Sequence, residues 1–81
     1  MGAKTAEPKF SGERLRTARE TQGRGLRAVA REAGVDPGQL SRIERSLERP
    51  STRTLLRLAR VLNLRDLEKA LGSLYERNGR A

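Results

Sequence analysis

The stretch AREAGVDPGQLSRIERS, residues 30–46, decides the fold. Its middle, Gly34-Val35-Asp36-Pro37, holds a helix stop and a helix start within four residues. Gly34 supplies a backbone position with positive φ at no steric cost, so a helix can end there and the chain can turn sharply. Asp36 is a good N-cap, Pro37 fits the first helical position, and Gln39 sits third, where a capping box places Glu or Gln. Val35 and Leu40 then form a hydrophobic staple. Leu40, Ile43 and Leu47 share the apolar face of a helix expected over residues 37–46. Upstream, Val29, Ala30 and Ala33 form the inward face of a helix expected over residues 26–33, with Ala30 small enough to admit the second helix closely.

Helix, glycine turn and helix at this spacing is the helix-turn-helix plan. Working outward, Ser11 is positioned to cap a first helix with Glu13 in its first turn. Phe10 is stapled to Leu15, Leu15 and Ala18 face inward, and Gly23 closes that helix. On the other side Arg49-Pro50 breaks the chain and Ser51 caps a fourth helix carrying Leu55, Leu58, Ala59 and Leu62. Asn63 tolerates the left-handed conformation that ends it. A fifth helix, expected over residues 65–75, places Leu67, Leu71 and Leu74 on one side. The expectation is an all-α fold of five short helices with no strand.

The chain has 81 residues, one domain's worth, and 18 basic against 10 acidic side chains for a net charge of +8. Such an excess attracts polyanions, of which nucleic acid is the commonest. Arginine supplies nearly all of it, with a planar fork of donors suited to phosphate and to guanine edges. Phe10 and Tyr75 are the sole aromatics, so the core rests on aliphatic residues and a stacking platform for RNA is missing. The chain contains neither cysteine nor histidine, and no serine or carboxylate sits in a catalytic constellation. Enzyme chemistry, cofactors and metal ligation are therefore not expected. No apolar run reaches membrane-spanning length and no signal-peptide core opens the chain; the expected setting is the cytoplasm, with no membrane partner.

The segments LRTARE (residues 15–20), AVAREAGV (28–35), QLSRIER (39–45), Pro50-Ser51 and TLLRLARVLNL (54–64) together resemble the λ-repressor/Cro-type (XRE) family of helix-turn-helix regulators. The resemblance implies a five-helix λ-repressor-like bundle, commonly dimeric on a near-palindromic operator and acting in transcription. It divides the chain into a flexible N-terminal tail (1–9), a helix-turn-helix DNA-binding domain (10–76) and a frayed C-terminus (77–81). Two positions depart from the family pattern. Leu26 stands where many members carry a phosphate-binding Gln, and Ser46 stands where many end the recognition helix with Gly.

In this docking mode, residues early in the recognition helix meet base edges in the major groove. Gly38, Gln39, Ser41 and Arg42 are the candidate base contacts; Arg42 suits guanine, Gln39 suits adenine, and Gly38 lets the backbone approach closely. The alternative is that Gln39 merely completes the cap and Arg42 is a solvated charge. Arg45, Arg49, Ser51, Arg53 and Arg57 follow the recognition helix or begin the next one and are the candidate phosphate contacts. Glu44 is an acid on the helix expected to meet DNA, and the resemblance implies that it pairs with Arg19 as a structural bridge. Leu67, Leu71, Leu74 and Tyr75 are the candidate homodimer contact. The leading function is a sequence-specific double-stranded DNA-binding transcriptional regulator of the repressor type. The same fold also serves as an antitoxin, whose partner is a toxin, as a restriction–modification controller protein, or as a protein-interaction module that has lost DNA binding.

Overall fold

The structure, a computed structural model, describes residues 11–71. Four helices, α1 (Gly12–Thr21), α2 (Leu26–Ala33), α3 (Pro37–Glu44) and α4 (Thr52–Val61), are followed by a fifth, α5, over residues 65–71. No strand occurs among the described residues. The fold is all-α, as the hydrophobic periodicity requires.

The local chemistry at the helix ends accounts for most of the boundaries. The Asp36 carboxylate accepts a hydrogen bond from the Gln39 N–H at 3.1 Å, with Pro37 in the first turn. Ser51 Oγ accepts from the Thr54 N–H at 3.1 Å and starts α4. Ser11 occupies the N-cap position of α1 in extended conformation, yet its side chain makes no cap bond, so the expected hydroxyl cap is absent there. Phe10, its expected staple partner, lies outside the described residues. At the other ends, Gly23, Gly34, Ser46 and Asn63 all have positive φ, between 59° and 71°. Each closes one helix with the same pair of backbone bonds; after α3 these run from the Ser46 N–H to the Ile43 carbonyl (3.0 Å) and from the Leu47 N–H to the Arg42 carbonyl (2.8 Å).

Two expectations about α3 need correction. The helix ends at Glu44 rather than running to residue 46. Ser46 itself takes the left-handed conformation, with φ of 62°, although it is not glycine. That closure redirects the chain, so the four-residue spacing from Ile43 no longer applies, and Leu47 is 66% exposed instead of joining the apolar face.

The core gathers Leu15, Val29, Ala30, Leu40, Ile43, Leu55, Leu56, Leu58, Ala59, Leu62, Leu67 and Leu71. Burying each large aliphatic side chain contributes about 1.5–3 kcal/mol, so this cluster, rather than the exposed ion pairs, holds the helices together. α2 packs on both α3 and α4, and α1 packs on α3. The α1–α3 contact is unusually close. A β-carbon at Gly12 would lie 1.9 Å from the Ile43 carbonyl oxygen and 2.9 Å from that of Glu44. Across the other side of α1, Arg14 Nη2 reaches both carboxylate oxygens of Asp66 at 2.7 and 2.8 Å. Those bonds, and a further one from the Leu67 N–H, hold the Asp66 carboxyl below its ordinary pKa.

Candidate nucleic-acid interface

α3 divides sharply along its length. Leu40, Ile43 and Glu44 are buried against the body of the domain. Gly38 and Arg42 are exposed, with Gln39 and Ser41 half-buried beside them. The four expected base contacts therefore share one accessible edge, and the apolar residues that fix the helix lie beneath it. Gly38 leaves room for its neighbours: a β-carbon there would stand 3.0 Å from Asp36 Oδ2 and 3.5 Å from Arg42 Nη1.

The acid on this helix is turned away from that edge. Glu44 receives two parallel hydrogen bonds from Arg19 of α1, from Nε at 2.8 Å and from Nη2 at 3.0 Å. Arg19 Nη1 also donates to the Arg24 carbonyl at 3.0 Å. The side chains are 4% and 12% exposed for Glu44 and Arg19. The bond to Glu44 raises the Arg19 pKa above its ordinary value against the opposing effect of burial. A carboxylate that would otherwise repel phosphate is thus neutralised and used to seat α3 on α1.

The expected phosphate contacts Arg45, Arg49, Arg53 and Arg57 are all exposed. Among the described residues none of them forms an ion pair, whereas Arg14, Arg16, Arg19, Arg24, Arg42 and Arg60 do. Arg45 Nε reaches back only to the Ser41 carbonyl, at 3.3 Å. Arg57 lies over the turn between α2 and α3, its Nη1 3.6 Å from where a β-carbon of Gly34 would be. Ser51 is exposed at the start of α4. There the first backbone N–H groups and the positive end of the helix dipole favour an anion.

One residue of this surface was not legible as part of it. Glu48 lies in the loop after α3, and the reversal at Ser46 carries it back along the helix. Its Oε2 accepts from Gln39 Nε2 and its Oε1 from Arg42 Nε, both at 2.9 Å. The bond from Arg42, and then that from Gln39, holds the Glu48 carboxyl below its usual range. Gln39 therefore does not complete a capping box with its side chain, and Arg42 is not a freely solvated charge.

Leu67 and Leu71, expected at a dimer contact, are 4% and 6% exposed and belong to the core of their own chain. Neither offers the free apolar face that such a contact requires. Leu74 and Tyr75 lie outside the described residues. Among the described residues no group of acidic side chains is arranged to hold a metal ion. No described helix is long and apolar enough to cross a membrane.

Comparison with known proteins assigns the family. The pattern for a family described as "Helix-turn-helix domain" matches residues 12–71. The chain belongs to the helix-turn-helix domain family. The match begins at the glycine where α1 meets α3 and ends at Leu71, the last core leucine among the described residues. Two strains of Mycobacterium tuberculosis carry a similar protein, "Transcriptional regulator ClgR", 45% identical over 53 residues. The similarity covers 65% of this chain and 47% of the relative, so the chain spans about half the length of the curated relatives it matches.

Proposed function

We propose that this protein is a transcriptional regulator that binds double-stranded DNA in a sequence-specific way and acts as a repressor, with α3 lying in the major groove. The observation that carries this reading is the division of α3. Its accessible edge holds Gly38, Gln39, Ser41 and Arg42, its buried side holds the packing residues and the neutralised Glu44, and the arginines flanking it are open to phosphate. Gln39 and Arg42 have the functional groups that discriminate adenine and guanine in the major groove. Arg45, Arg49, Arg53, Arg57 and the start of α4 at Ser51 supply the sequence-independent attraction. The similarity to a protein named as a transcriptional regulator supports the same reading. The protein works in the cytoplasm, without catalysis, as a homodimer on two half-sites about 34–36 Å apart. With Leu67 and Leu71 packed inside their own chain, Leu74 and Tyr75 are the dimer contacts that remain to be tested.

The test is selection of bound sequences from a random duplex pool. Enrichment of a two-fold symmetric motif supports the reading. Recovery of unselected sequence, with binding abolished by moderate salt, would leave only non-specific polyanion attraction and defeat it.

A further inference from the structure

Glu48 holds two side chains at once. Gln39 and Arg42 are three residues apart on the same edge of α3, and one carboxylate oxygen serves each at 2.9 Å. A carboxylate accepts hydrogen bonds and cannot donate them. It therefore fixes which way the Gln39 amide faces. The NH2 group turns toward Glu48, which leaves the carbonyl Oε1 and a second N–H for a base. A donor beside an acceptor is the pattern that pairs with adenine N7 and N6. Arg42 is held through Nε, which leaves Nη1 and Nη2 at the far end of the fork, the end that meets guanine O6 and N7.

We infer that Glu48 is a positioning residue for base reading, one carboxylate that orients both readers and ties recognition at the two base positions together. This rests on the reading of α3 as the helix in the major groove. Three features of the site support it. Glu48 faces the readers rather than solvent alone, because the left-handed turn at Ser46 returns the chain beside the helix. Its charge offsets that of Arg42, so Arg42 is a weaker lure for phosphate and a better-directed donor for a base. Exposed ion pairs contribute little to folding stability, so orientation of the readers is a role that can be separated from folding. A partly prepaid ordering of two long side chains strengthens binding to the matching bases.

The experiment compares the wild-type chain with Glu48→Gln and Glu48→Ala. Each is run through duplex selection and then through titration against the selected duplex, single-base variants of it and a scrambled duplex. The expected result is a loss of discrimination of roughly tenfold at each of two base positions in both variants. Affinity for the scrambled duplex should rise, because a negative charge has been removed from the binding face. The melting temperature should stay within a few degrees of wild type, which a purely structural Glu48 would not allow. Unchanged base preferences in both variants, or relaxation at one position alone, would overturn the inference while leaving the DNA-reading function intact. A wild-type chain that enriches no motif would instead sink the function itself.

Discussion

Removing Glu44 should unfold much of the population at modest temperature, and the size of the effect follows from the bridge it makes. Glu44→Ala strips Arg19, whose side chain is 12% exposed, of two charge-assisted hydrogen bonds at 2.8 and 3.0 Å, and leaves its guanidinium with the Arg24 carbonyl as hydrogen-bond partner and the weaker attraction of Glu20. Breaking a buried pair in this one-sided way costs about 3–5 kcal/mol, because the remaining charge stays out of water. Total stability of a small domain is roughly 0.05–0.15 kcal/mol per residue, so the loss takes a large share of what an 81-residue chain has. At about 4–8 °C per kcal/mol for a domain of this size, the melting temperature should fall by at least about 12 °C. Circular dichroism at 222 nm, a helix signal, follows it. A second variant separates pairing from packing. Arg19→Met with Glu44→Leu replaces both charges by apolar groups of similar volume and should recover most of the loss, since such swaps are often neutral or better. A fall of less than about 4 °C for Glu44→Ala, or a double variant no better than the single, would refute the reasoning.

Gly12→Ala must push α1 away from α3, because the new β-carbon would meet the Ile43 and Glu44 carbonyls; a loss at the upper end of about 1–3 kcal/mol should appear in chemical denaturation. Ser46→Gly should act in the opposite direction. It relieves a left-handed φ that costs an ordinary residue about 1 kcal/mol, less a smaller entropy cost in the unfolded chain, and the melting temperature should rise by a few degrees. Arg42→Ala should weaken binding to the selected duplex far more than to a scrambled one. Arg57→Ala should weaken both alike and lower the salt slope by about one unit per contact, measured as affinity across a salt series.

Where the sequence spoke clearly, the cause was chemistry confined to a few neighbouring residues. The limits of α2, the left-handed Gly34 and the Asp36–Pro37 start of α3 all depend on atoms within one turn, so they could be read in order along the chain. The end of α3 could not. Arg45 and Ser46 are compatible with continued helix, and only the closure around Ser46 ends it and turns Leu47 outward. Glu48 was missed for the same reason: its link to residues six and nine positions earlier exists only after that reversal. Gly12 reads as an ordinary residue in a first turn, since nothing local announces that two carbonyls of another helix lie against it. Leu67 and Leu71 show periodicity's limit from the other side. An apolar stripe says that a face is covered, and here the cover is the chain's own core.

The four left-handed closures have a consequence for how this domain can vary in length. Each stop fixes where one helix ends and where the next departs, and the connections that follow are only a few residues long. Inserting or deleting a single residue within a helix would rotate everything beyond it by about 100°. The stop would then face the wrong way and the buried stripe would point into water. Substitutions on the open faces escape this constraint, whereas changes of length between residues 12 and 64 do not. The loop from residue 46 to residue 50 is no exception, because one added residue there would carry Glu48 away from Gln39 and Arg42.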